Sequence, residues 1–164
     1  MDLDHFNSAP AEEAEALLRP CADIQRWVGQ IVQERPYANV GEVVAAAEQA
    51  ARPWTAEEID AALAHHPRIG ERAAGTGTEA GMSRSEQSGV DQSAETAQRL
   101  RAGNEAYEDK FGRVFLIRAA GRSADDILAE LERRLGNSPE DELPEVARQL
   151  REIAVLRLRG VLEA

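Results

Sequence analysis

No stretch of this chain alternates apolar and polar residues for long enough to suggest a strand. Ala, Leu, Glu, Arg and Gln fill the long segments instead, and β-branched runs are scarce. An all-α fold is expected, a single compact multi-helix domain over residues 1–164, a length suited to one sizeable core. Lys and Arg total 19 against 30 Asp and Glu, a net charge of −11, and no basic tract interrupts the chain. That balance argues against nucleic acid and anionic membrane surfaces as partners. Hydrophobic residues make up 43% of the chain, but many are Ala, and no uninterrupted apolar run approaches the ~20 residues that span a bilayer. The first residues lack a signal-peptide pattern and the closing Leu162-Glu163-Ala164 is not a peroxisomal address of the Ser-Lys-Leu type, which favours the cytoplasm. One cysteine, Cys21, cannot form an internal disulfide, and with three histidines the usual Cys/His zinc cages are excluded. No metal site is expected.

Proline, glycine and capping residues divide the chain. Ser8 and Pro10 suggest the start of a short helix reaching about Leu18, and a second helix is expected from about Cys21 to Glu34, before Pro36. Gly41 to Arg52 reads as a third. Thr55-Ala56-Glu57-Glu58 has capping-box spacing, and the helix it opens must end at or just before His66, because Pro67 disfavours helical geometry there. Arg68 to Met82 carries Gly70, Gly75, Gly77 and Gly81 and reads as a long loop, with helices resuming near Ser83. A helix is then expected from Ser93 to Phe111, stopped by Gly112. Another follows Ser123 and ends at Gly136-Asn137, and Ser138-Pro139 opens the last. The acidic surplus is spread along helix faces, as solvated surface would be.

Several polar residues fall on apolar faces. On the final helix Val146, Leu150 and Ile153 form a stripe with Arg157 in its middle, whereas Arg148, Arg151 and Arg159 point away. A guanidinium there calls for an internal carboxylate, a bound anion, or a snorkelling path to the rim. In the helix after Thr55, Ile59, Leu63 and His66 share a side and His65 lies opposite. Pro67 fixes the exit of the chain behind His66, which suits a general acid or base. A core histidine bonded to a carbonyl explains the same pattern. Ser85-Glu86-Gln87 follows the glycine segment, where a helix N-terminus would offer backbone donors to an anion or would simply be capped. Asn104 shares a face with Leu100, Tyr107 and Phe111 and is most simply a tie to a neighbouring loop. Trp27 and Trp54 read as core anchors, Cys21 as a small buried residue. The glycines lack the Lys-Ser/Thr ending of a phosphate-binding loop.

His66-Pro67-Arg68-Ile69-Gly70, Ser85-Glu86-Gln87, and the set Asn104, Tyr107, Lys110-Phe111-Gly112 and Phe115 occur in this order. Together they resemble the 2-oxo-4-hydroxy-4-carboxy-5-ureidoimidazoline (OHCU) decarboxylase family. Phe6-Asn7, Trp27, Arg35-Pro36-Tyr37 and Glu152-Ile153-Ala154 with Arg157-Leu158 extend the resemblance over nearly the whole chain. It implies an all-α, cofactor-independent carboxy-lyase of urate breakdown that converts OHCU to (S)-allantoin, working as a homodimer on a small ureidoimidazoline. By the same resemblance His66 and Glu86 are catalytic. Pro67, Ser85, Gln87, Ile117, Ala119, Gly121 and Arg157 bind substrate, the residues from Ile117 to Gly121 through their backbone groups. Rival readings are a lyase or hydrolase acting on another ureide, and a non-catalytic acidic helical module in which His66 and Arg157 are structural.

Overall fold

Side-chain caps mark where several stretches of this chain turn helical. The computed structural model describes residues 1–69, 78–87 and 93–163, and no strand occurs among them. The helices are α1 (Leu3–Ser8), α2 (Ala11–Leu18), α3 (Gln25–Gln33), α4 (Val40–Ala50), α5 (Ala56–Leu63), α6 (Thr78–Glu86), α7 (Ala94–Phe111), α8 (Ala124–Leu135) and α9 (Pro139–Glu163). Thr55 and Glu58 close the expected reciprocal box: Glu58 N–H donates to Thr55 Oγ1 and Thr55 N–H to Glu58 Oε1. Ser93 caps α7, Gly112 ends it in the left-handed region at φ 72°, and Ser123 with Asp126 forms a second box at α8.

Three boundaries differ from expectation. Ser8 does not open a helix; it closes α1, where its hydroxyl donates back to Asp4 and His5 carbonyls at 2.9 and 3.3 Å. Asp2 caps that extra helix by accepting from His5 N–H, and Pro10, with its preset φ, stands at the start of α2. The second expected helix begins at Gln25 rather than Cys21. Cys21 and Ala22 N–H groups turn back to the Leu18 carbonyl, and Ile24 is extended at φ −125°, ψ 105°. The expected loop to Met82 is helical from Thr78, since one Gly81 costs a helix only ~1 kcal/mol relative to Ala. The rest of that glycine segment, residues 70–77, lies outside the described residues.

The chain divides into two compact units, Met1–Ala62 with Arg151–Ala164, and Leu63–Leu150. In the first, α3 packs on α2 and α4, and Phe6, Leu18, Trp27, Ile31, Val43 and Ile59 are buried. Each such side chain contributes ~1.5–3 kcal/mol by leaving water. Trp27 Nε1 donates to the Ala47 carbonyl at 2.8 Å, and the Trp27 and Trp54 rings meet edge-on with centroids 5.9 Å apart. Arg35 Nη1 donates to the Phe6 and Ala9 carbonyls at 2.7 and 2.8 Å, and Asn7 exchanges two 2.9 Å hydrogen bonds with the Tyr37 backbone. The Phe6-Asn7 and Arg35-Pro36-Tyr37 motifs therefore bind each other. Their role is to lock α1 in place.

In the second unit α7 packs on α8, around a core that includes Ile69, Leu100, Tyr107, Phe115, Ile127 and Leu131. Helix α8 presents Ile127, Leu131 and, on the same stripe, Arg134. Arg134 Nε lies 2.8 and 3.0 Å from the two Glu142 oxygens, with both side chains almost completely buried.

Candidate active site

The His66 segment is held to α7 by two ties. After α5 ends at Leu63, His66 N–H bonds the Leu63 carbonyl at 3.0 Å, a turn that leaves His65 exposed and His66 half-buried. Two residues on, Arg68 forks onto Glu108, Nε to Oε1 at 2.6 Å and Nη2 to Oε2 at 3.0 Å. These hydrogen bonds hold the Glu108 carboxyl below its ordinary range. Asn104 Nδ2 then donates 2.9 Å to the carbonyl of buried Ile69. Asn104 and Glu108 lie one turn apart on α7. The expected tie from Asn104 to a neighbouring loop is thus present, and the loop is the one that carries His66 and Pro67.

Ser85, Glu86 and Gln87 are not at a helix N-terminus. Ser85 and Glu86 belong to the last turn of α6 and Gln87 follows it, its N–H bonded to the Ser83 carbonyl at 3.2 Å. The helix begins earlier than the glycine content suggested, so these residues stand at its negative end, which offers carbonyls rather than donors to an anion. Whatever they contribute comes from their side chains. Ser85 is exposed, and Glu86 and Gln87 are half-buried.

Beyond α7 the chain from 114 to 119 has no regular secondary structure, then turns through Gly121 at φ 78°, a conformation that favours glycine. Ile117 and Ala119 place their side chains in the core of the second unit, which leaves backbone groups as what they can present elsewhere. Two buried side chains grip this segment. Arg134 Nη1 donates to the Leu116 carbonyl at 2.7 Å, and Gln149 Oε1 accepts from Arg118 N–H at 2.9 Å.

Arg157 belongs to the first unit. As its place on the apolar stripe implied, it is 5% exposed, and its Nη1 donates to the Pro20 carbonyl at 2.8 Å. A backbone carbonyl is a partner beyond the internal carboxylate, bound anion and rim solvent that its position suggested.

Sequence reasoning missed Arg134, Glu142 and Gln149. The signal was present: the criterion that singles out Arg157 also marks Arg134, three residues past Leu131 on a buried face. Glu142 and Gln149 flank buried Val146 on α9 in the same way. No group of three or more His, Cys, Asp or Glu among the described residues is arranged to hold a metal ion.

A family model described as OHCU decarboxylase matches residues 7–159. The 2-oxo-4-hydroxy-4-carboxy-5-ureidoimidazoline decarboxylase of Haloferax volcanii is 33% identical over 135 residues, 80% of this chain and 79% of its own. That of Amia calva is 27% identical over 172 residues, 99% of this chain and 95% of its own. A crystal structure of OHCU decarboxylase in the presence of (S)-allantoin matches with a TM-score of 0.70 at 25% identity, over 88% of this chain and 95% of that one. A crystal structure of (S)-allantoin synthase matches with a TM-score of 0.72 at 16% identity, over 99% of this chain and 54% of that one, a likeness of fold alone. Fold and sequence together define an all-helical carboxy-lyase. The chain belongs to the OHCU decarboxylase family.

Proposed function

We propose that this protein decarboxylates OHCU without a cofactor and releases (S)-allantoin, with His66 as the proton-transfer group. The observation that carries the activity is the family match spanning residues 7–159, a range that takes in parts of both compact units. The same span supports reading residues 1–164 as one functional domain. The roles of the individual residues rest on the motifs His66-Pro67, Ser85-Glu86-Gln87 and Arg157 in the sequence.

Decarboxylation leaves an electron pair that needs a sink, and the conjugated carbonyl and imine groups of OHCU provide one beside the scissile bond. His66 exchanges a proton with the 4-hydroxyl, the C–C bond to the carboxylate breaks, and the pair delocalises into the ring as carbon dioxide departs. Glu86, with Ser85 and Gln87, holds the ring by hydrogen bonds, helped by Pro67 and by the backbone of Ile117, Ala119 and Gly121. Arg157 neutralises oxyanion charge. Protonation of one face of the intermediate sets the handedness of the product. A half-buried His66, anchored two and three residues on by Arg68 and Asn104, suits a group that must stay oriented yet reach a ligand.

Replacing His66 with Asn is expected to lower kcat by ~10²–10⁴ while the far-ultraviolet spectrum is retained, and His65→Asn to leave kcat unchanged. A His66→Asn variant with the wild-type rate would remove the catalytic assignment. We further propose a homodimer working in the cytoplasm. Light scattering and cell fractionation check these two points, with a monomer or a membrane-pelleted protein as the contrary results.

A further inference from the structure

Arg134, Glu142 and Tyr107 are buried together, and a buried ion pair is a poor way to gain stability, because apolar residues of the same volume usually serve as well. What such a cluster can supply is direction. Arg134 spends Nε on the two Glu142 oxygens, and Tyr107 OH donates to Glu142 Oε2 at 3.0 Å, so the carboxylate is held from two sides. The guanidinium also stacks over Phe115, 4.6 Å from the ring centroid, which fixes its plane. Its remaining edge points Nη1 at the Leu116 carbonyl. Two residues further on, Gln149, 3% exposed, accepts from Arg118 N–H. The backbone on both sides of Ile117 is therefore gripped from α8 and α9, although the segment has no helical or sheet bonds of its own. These atoms all lie within the second unit.

We infer that Arg134 and Gln149 are positioning residues that set the backbone of residues 116–121 for the substrate, with Glu142 and Tyr107 holding Arg134 in aim. The inference rests on the reading that Ile117, Ala119 and Gly121 offer backbone groups to the ureidoimidazoline ring. Contacts of that kind act on substrate and transition state alike, so their loss raises KM more than it lowers kcat.

The test uses the full chain with Gln149→Met, which removes the acceptor without adding charge, Gln149→Glu, which keeps an acceptor oxygen at a cost in stability, and Arg134→Lys. KM and kcat for OHCU decarboxylation, Tm, and amide exchange across 116–121 are measured for each. Gln149→Met is expected to raise KM about tenfold with kcat within about threefold, and to speed exchange at Arg118. Gln149→Glu should melt lower than Gln149→Met yet keep KM within about twofold of wild type, an order a merely structural role does not produce. Arg134→Lys, if folded, should behave as Gln149→Met. A separate titration of the wild-type protein with (S)-allantoin, followed by amide shifts of Ile117, Ala119 and Gly121, tests the underlying site. Absence of shifts there overturns the site reading and the inference with it. Shifts there, with KM unchanged in Gln149→Met while Tm falls, overturn the positioning role alone.

Discussion

Replacing Glu142 with Gln keeps the shape of the buried cluster and removes one charge. Arg134 cannot give up its proton, so the variant leaves a guanidinium with 1% side-chain exposure and no counter-charge across bonds of 2.8 and 3.0 Å. Breaking one half of a buried pair costs about 3–5 kcal/mol, against a total stability of about 5–15 kcal/mol for a domain. At roughly 2–4 °C per kcal/mol for a chain of this size, Tm falls by about 6–20 °C. Arg134→Met alone strands the carboxylate and should cost a similar amount. The double variant, Arg134→Met with Glu142→Gln, carries neither charge. It orphans the Leu116 carbonyl, at about 1–3 kcal/mol, while the amide oxygen introduced by Glu142→Gln can still accept from Tyr107. It is therefore expected to be more stable than either single variant, with a coupling of about 3 kcal/mol or more in a double-mutant cycle. Urea unfolding followed by circular dichroism and by Trp fluorescence measures this. Non-coincident transitions would assign the loss to one unit. Single-variant losses that simply add in the double, or a Glu142→Gln loss below about 1 kcal/mol, would show that Arg134 and Glu142 are not coupled as a buried ion pair.

A Cβ at Gly103 would overlap a δ-carbon of buried Leu131 and come within 3.2 Å of its Cγ. Gly103→Ala should thus lose about 1–3 kcal/mol to overpacking, offset by about 1 kcal/mol of helix propensity, and a gain in Tm would contradict the close α7–α8 approach. Burial pushes the Tyr37 phenol up to about 12, and burial raises Tyr107 as well. Both groups sit above their unfolded value of 10.0. Their contribution is thus whole below about pH 10 and lost as pH rises through the folded values, so in folded protein tyrosinate absorbance should appear only well above pH 10. Ionisation midway near pH 10 in folded protein would count against it. The Arg26 hydrogen bonds hold Glu58 below 4.5, so this pair stabilises above about pH 4.5 and its effect fades as pH falls through the folded value. Arg26→Met should flatten that acid limb by at most about 1 kcal/mol, because Arg26 is half exposed, and an unchanged acid slope would sink the assignment.

The helical architecture was legible because it is local. Thr55, Ser93, Ser123 and Gly112 act through bonds within one turn, and each stands where the sequence put it. Ser8 misled because a serine caps in one direction and back-bonds in the other; which occurs depends on whether Asp2 has already started a helix upstream. Ser85-Glu86-Gln87 misled for a related reason, since glycine content weakens a helix by an amount that its neighbours can outweigh. Inward polar residues were partly visible. Arg157 and Asn104 announced themselves by helical phase, and Asn104 found the loop partner expected of it. That the Pro20 carbonyl accepts from Arg157 could not be read in advance, because it lies 137 residues away in the chain. Arg134 obeyed the same phase rule, yet its meaning depends on Glu142 and Leu116, which only the packed second unit brings to it.

The proposed reaction makes one hand of allantoin from OHCU. OHCU is generated in place from urate by the two preceding activities, the protein is added, and carbon dioxide release is followed together with the circular dichroism of the product. Spontaneous decay is expected to give a racemic product. Faster carbon dioxide release and an optically active (S) product are expected with the wild-type protein, with the background rate and no optical activity from folded His66→Asn. Release at the background rate with a racemic product, from wild-type protein shown to be folded, would overturn the proposed activity.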